Sequence, residues 1–168
     1  GSCNHSNFYK VRHFSDALFS QIFDGNRVKT FWRNVLQSHN RTRPLHGTTV
    51  SNTMDANLEI KFIGTGGAFE VDLVNSAAVV RHAGAHYLID CGHSVFPALV
   101  RKDVVGLIDG VFVTHLHDDH AGSLSSLILY HSIVLQKGRL KVYVASTDQE
   151  EQLRAFLRFS LGDPDERV

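Results

Sequence analysis

Three imidazoles and two carboxylates fall within six residues, His115-Leu116-His117-Asp118-Asp119-His120, just after the apolar run Val111-Phe112-Val113 and Thr114. Imidazole nitrogen with carboxylate oxygen suits a divalent cation, zinc first, with iron or manganese as rivals. Residues two apart point the same way on a strand and not on a helix, so His115 and His117 can converge on one ion at a strand's end. A sharp turn after them would swing Asp119 and His120 toward a second position close by, as an adjacent pair of metal sites requires.

The elements around the motif must make that turn. A β-branched run precedes it, and Ala121-Gly122-Ser123-Leu124 opens a long apolar stretch after it, which predicts a strand-to-loop-to-helix junction. Leu58 to Ile63 alternates apolar and polar residues, the period of a strand, until Gly64-Thr65-Gly66-Gly67 stops it. Residues 76–81 and 86–90 read as short strands around Ala83-Gly84-Ala85, a hairpin. A helix over 95–100 is predicted with Ser94 as its cap and Pro97 in its first turn, where proline is tolerated. The motif strand spans 110–113, a helix 124–135, a strand 140–145, and an amphipathic helix 148–161, with Leu153, Phe156 and Leu157 on its apolar side. Upstream, Phe14, Leu18 and Ile22, then Val28, Phe31, Trp32 and Val35, recur at spacings near three and four and predict a short helical pair. Residues 40–57 read as a linker. The glycine turn lacks the third glycine of a dinucleotide loop, and no helix pattern opens after it. It reads instead as a tight turn bringing backbone near the metal cleft, where the amides of Gly66 and Gly67 could touch a phosphate.

The segment His115 to His120 resembles the His-x-His-x-Asp-His signature of the metallo-β-lactamase-fold hydrolases, and Gly122 falls where that family commonly has a glycine. Phe62-Ile63-Gly64-Thr65-Gly66-Gly67-Ala68 resembles the first strand and glycine turn of the branch containing ribonuclease Z and related phosphodiesterases. Tyr87-Leu88-Ile89-Asp90-Cys91-Gly92 resembles the strand and Asp-Cys-Gly turn that precede the metal motif. All three match in order and spacing. The likeness runs from about Leu58 to the end, and residues 1–57 match nothing nameable.

The resemblance implies an α/β fold, the αββα metallo-β-lactamase sandwich, with residues 58–168 as its N-terminal half behind a helical extension and linker over 1–57. It implies two Zn2+ ions per complete site, Mn2+ or Fe being possible. His115 and His117 would bind the first metal and Asp119 and His120 the second. A hydroxide held between them and oriented by Asp119 would attack the substrate. It further implies Asp90 as an acceptor that orients a metal-bound histidine, Cys91 as a small buried residue, and His93, with Gly66 and Gly67, on the substrate side.

The departure from the family is equally informative. A complete site needs a further histidine, a bridging aspartate and a final histidine downstream, yet the only histidine after His120 is His131, inside an apolar helix and read as structural. Asp148, Asp163 and Asp165 read as helix-cap or turn residues. One half of a two-sheet sandwich would also leave a sheet face bare. The expected partner is therefore a C-terminal half or a second subunit, including a homodimer. The implied reaction is hydrolysis, with a phosphodiester of a nucleic acid or nucleotide as substrate. Three alternatives stay open: hydrolysis of carbon esters, thioesters or lactams, a di-iron oxidoreductase, and an inactive fragment or binding module.

With 17 basic and 17 acidic residues the net charge is +0, and no like-charge run announces a nucleic-acid surface. No apolar run approaches the roughly 20 residues of a membrane span. Cys3 and Cys91 are too few for a disulfide framework, which points to a reducing cytoplasm.

Overall fold

The computed structural model describes residues 9–13 and 59–162. Its sheet grows from the hairpin predicted around Ala83 and Gly84, whose φ angles are 49° and 82°. Two successive positive φ values give the turn whose twist matches that of paired strands. They join β3, Ala77–His82, to β4, Ala85–Ile89, in antiparallel register. On the far side of β3 lies β2, Glu59–Gly64, also antiparallel and at the sheet edge. The alternation expected of β2 is blunted there, since Lys61 and Phe62 are both exposed.

On the other side of β4 the sheet becomes parallel. β5, Gly110–Phe112, pairs with β4 and with β6, Leu140–Val144. A further strand, β1, Tyr9–His13, pairs parallel to β6 and closes the order β1-β6-β5-β4-β3-β2. That strand lies within the 1–57 stretch read as helical extension and linker, so this part of the stretch belongs to the sheet. The predicted helical pair and linker lie outside the described residues.

One face of the sheet carries the core. Leu88, Val111 and Val142 align across three strands and pack with Leu99, Leu124, Leu127, Ile128, Leu153 and Leu157, all fully or almost fully buried. Each such side chain removed from water contributes about 2 kcal/mol. The leucines come from α1, Val95–Arg101, from α3, Leu124–Leu129, which widens into a π turn over Tyr130–Val134, and from α4, Thr147–Leu161. His131 sits in that π turn, buried, with Nδ1 3.3 Å from the Gly138 carbonyl oxygen.

The opposite face holds an aromatic row. Phe112 stacks on Tyr143 with centroids 4.5 Å apart, and Tyr87 meets Phe112 edge-on at 5.4 Å. Gly110 makes room for this row, because a Cβ there would come within 2.9 Å of the Tyr143 ring. Phe112 and Tyr143 in the middle of this face are 3% and 8% exposed.

The parallel run matters most for the site. The carboxyl ends of β4, β5 and β6 lie side by side, which is where open α/β sheets bind ligands. Asp90 follows β4, the histidine motif follows β5, and the start of α4 follows β6.

Candidate metal centre

Asp90 is the first residue beyond β4 and is fully buried with φ of 60°. A non-glycine residue in that region costs on the order of 1 kcal/mol, and aspartate is among the few that tolerate it. Its carboxylate offsets the strain with three hydrogen bonds. Oδ1 accepts from the Thr114 amide at 2.8 Å, and Oδ2 accepts from Thr114 Oγ1 at 2.7 Å and from His120 Nδ1 at 2.7 Å.

These bonds fix the two imidazole tautomers. A carboxylate only accepts, so His120 carries hydrogen on Nδ1 and presents Nε2 outward. Thr114 spends its one hydroxyl hydrogen on Asp90, and its oxygen must therefore accept from His115 Nδ1, 3.1 Å away. Nε2 of His115 is then its free lone pair. Asp119 Oδ2 lies 3.4 Å from His120 Nε2, and the His115 ring packs 4.0 Å from that of His120 and 4.6 Å from that of His117. His115 and His117 meet without strand alternation, because β5 ends at Phe112 and both lie in the loop beyond it.

The electrostatics separate the rings. The Asp90 hydrogen bond, opposed by burial, raises the pKa of His120 above the ordinary histidine value. Burial, aided by the charge of His120, lowers that of His115. Burial pushes the Cys91 thiol up to about 12, so Cys91 is a small core residue and no nucleophile.

The motif then turns into a short helix, α2, Asp118–Ala121. The segment after Asp90 runs beside it: the Cys91 amide donates to the His120 carbonyl at 2.7 Å and the His93 amide to that of Asp118 at 3.1 Å. Between them Gly92 touches the backbone of Asp119, and a Cβ there would lie 2.0 Å from the Asp119 carbonyl oxygen. His93 pairs through Nδ1 with Asp118 Oδ2 at 2.8 Å, at the exposed rim.

Two expectations change. Gly66 is buried and its amide donates to the Val74 carbonyl at 2.7 Å, so it has no amide to offer a phosphate. Gly67 is exposed and gives its carbonyl to Asn75 Nδ2 at 3.1 Å. Ser94 precedes α1 as predicted but makes no side-chain cap; its hydroxyl donates to Asn75 Oδ1 at 2.6 Å. Asn75 is thus a buried tie between the glycine turn and the Asp90 segment, which no sequence pattern had marked. Thr114 and Gln149 were likewise missed, though Ser146-x-x-Gln149 carries a readable helix-cap signal.

Nitrogen and carboxylate donors with free Nε2 lone pairs fit zinc in kind. They do not complete a site: among the described residues, no group of three or more His, Cys, Asp or Glu side chains is arranged to hold an ion. Nor, among them, is any helix long and apolar enough to cross a membrane.

The glycine turn, the Asp90 segment and the motif place the chain among metallo-β-lactamase-fold proteins of the ribonuclease Z-like branch. A family model described as anti-Pycsar protein Apyc1 matches residues 58–167, and the chain belongs to that family. It is similar to the anti-Pycsar protein Apyc1 of Bacillus phage BSP38, 38% identical over 108 residues that cover 61% of this chain and 42% of the phage protein. It is also similar to ribonuclease Z of Natronomonas pharaonis, 33% identical over 108 residues, 64% of this chain and 35% of that one. Among solved structures, human tRNase Z, short form, aligns with a TM-score of 0.48 at 30% identity, covering 60% of this chain and 39% of the human one. The chain thus spans well under half the length of these relatives.

Proposed function

We propose that the chain supplies the histidine-bearing half of a metal-dependent phosphodiesterase, completed by a C-terminal half or a second subunit. The observation that carries this reading is the buried, backbone-strained Asp90 bound to His120 Nδ1. A surface histidine needs no such anchor, whereas a ligating one has its ring direction and basicity set by it. In this reading His115 and His117 hold one zinc ion and Asp119 and His120 a second. Such ions, when bound, supply a water-derived nucleophile at neutral pH and offset charge on the departing oxygen.

The chain's own residues do the remaining work. Asp90 keeps the His120 proton on Nδ1, Thr114 does the same for His115, and Asp119 accepts a hydrogen bond from the attacking water to set its direction. The choice of a phosphodiester is supported by relatives named ribonuclease Z and, in humans, zinc phosphodiesterase.

The test is zinc content by elemental analysis, with hydrolysis of bis(4-nitrophenyl) phosphate set against 4-nitrophenyl acetate, on the whole protein and on its His115→Ala/His117→Ala variant. Stoichiometric zinc and a metal-dependent phosphodiester activity are expected, both lost in the variant. Unchanged zinc uptake in the variant would sink the ligand assignment, and activity on the acetate alone would replace the phosphodiester by a carbon ester.

A further inference from the structure

The ladder between β5 and β6 stops in an unusual way. Its last rung is the Val113 amide donating to the Tyr143 carbonyl at 3.0 Å. In a parallel pair the next rung would run from the Ala145 amide to the Val113 carbonyl. The carboxamide of Gln149, reaching back from the first turn of α4, occupies that rung. Its Oε1 accepts from the Ala145 amide at 2.8 Å, and its Nε2 donates to the Val113 carbonyl at 3.0 Å and to that of Thr114 at 3.2 Å. Ser146 Oγ separately accepts from the Gln149 main-chain amide at 3.2 Å, a helix-cap bond that leaves the side-chain rung alone.

We propose that Gln149 is a positioning residue of the metal centre, its side-chain amide standing in for a peptide unit. By entering the ladder it parts β5 from β6 where the motif must leave the sheet. It also holds the carbonyl side of Thr114 while Asp90 holds the amide side at 2.8 Å. Thr114 is thereby clamped from β4 and from α4 together, and His115 departs from a peptide that cannot rotate. This inference rests on the reading of His115 as a ligand for its metal arm, and on geometry alone for its backbone arm.

Gln149→Glu separates this role from helix capping. At pH 8 the carboxylate still accepts from the Ala145 amide, but it turns oxygen toward two carbonyls where the amide donated. Ser146→Ala weakens the cap without touching the rung. Zinc affinity, measured by competition with a chromophoric chelator, is expected to fall about tenfold in Gln149→Glu and to stay unchanged in Ser146→Ala. Amide hydrogen exchange over residues 113–117 of the metal-free protein is expected to speed up in Gln149→Glu alone. Equal behaviour of the two variants in both measurements would overturn the proposal and leave Gln149 a cap. If the whole protein, with the site-completing half present, binds no zinc, the ligand reading fails, and the exchange comparison still decides the role of Gln149. Should Gln149→Glu fail to fold, Gln149→Ala, which removes the donor without adding charge, is read by the same two measurements.

Discussion

His117 and His120 lie three residues apart and are held in opposite ways. His120 is hydrogen-bonded to a buried carboxylate, its carbonyl accepts from the Cys91 amide, and Asp119 beside it has backbone pressed against Gly92. The His117 side chain is exposed, leans edge-on against His115, and has no hydrogen-bond partner among the described residues. The site is therefore rigid where it leans on the sheet and open where it faces away. In the reading proposed above this is a half-site, and among the described residues its side chains do not close on an ion.

Closing the gap beneath Asp119 is the harshest way to break the locked side. Gly92→Ala drives a Cβ into the Asp119 carbonyl and toward Asn75 Cβ, 2.9 Å away. Both neighbours are backbone or buried, so neither can yield cheaply. A loss of about 3 kcal/mol is expected, read as a drop in the urea midpoint, together with loss of zinc uptake. Wild-type stability in this variant would mean that the two segments are not in contact. Asp90→Asn is milder, because asparagine accepts the same left-handed backbone and keeps one acceptor oxygen. It removes the charge behind His120, and zinc affinity is expected to fall by about 10- to 100-fold. A variant at the open side, His117→Gln, should leave stability where it was. If Asp90→Asn and His117→Gln change stability alike, the contrast between the two sides fails.

The sequence carried some of this plainly and some of it not at all. The hairpin was legible because Ala83-Gly84 lies between two β-rich runs, and the motif strand because strands buried between parallel neighbours are apolar throughout. α4 was legible from its apolar spacing, and its start is fixed by Ser146, whose hydroxyl accepts from the Gln149 amide. β1 was not, since Tyr9–His13 alternates with Lys10 and Arg12 over only five residues, and its parallel partner β6 is more than half the chain away. The donors of the site were visible as residue types at a spacing. Of what holds them, Asp90 was expected through the family resemblance, whereas Asn75, Thr114 and Gln149 act through long-range hydrogen bonds that no local pattern encodes. Ser94 shows the same limit: its position suits a cap, but tertiary contact turns its hydroxyl toward Asn75.

The smallest expected effect is also the sharpest reading of the contrast, because it compares two rings 4.0 Å apart. In metal-free protein His120 has a raised pKa, chiefly through its Asp90 hydrogen bond, and His115 a lowered one, chiefly through burial. The signs for stability are then opposite. The His120 contribution is fully present below the unfolded histidine pKa of about 6.5 and is lost as pH rises through the raised folded value. The His115 contribution is present above about pH 6.5 and is lost as pH falls through the lowered folded value. In the proposed site zinc would have to displace the His120 proton, so uptake should weaken with acidification starting at a higher pH than an isolated histidine would require. Imidazole carbon-bound proton shifts followed by NMR titration give both values at once. His120 is expected to titrate above His115, and Asp90→Asn to bring His120 down toward it. If the order is reversed, or if Asp90→Asn leaves His120 in place, the carboxylate is not what distinguishes the locked ring from its neighbour.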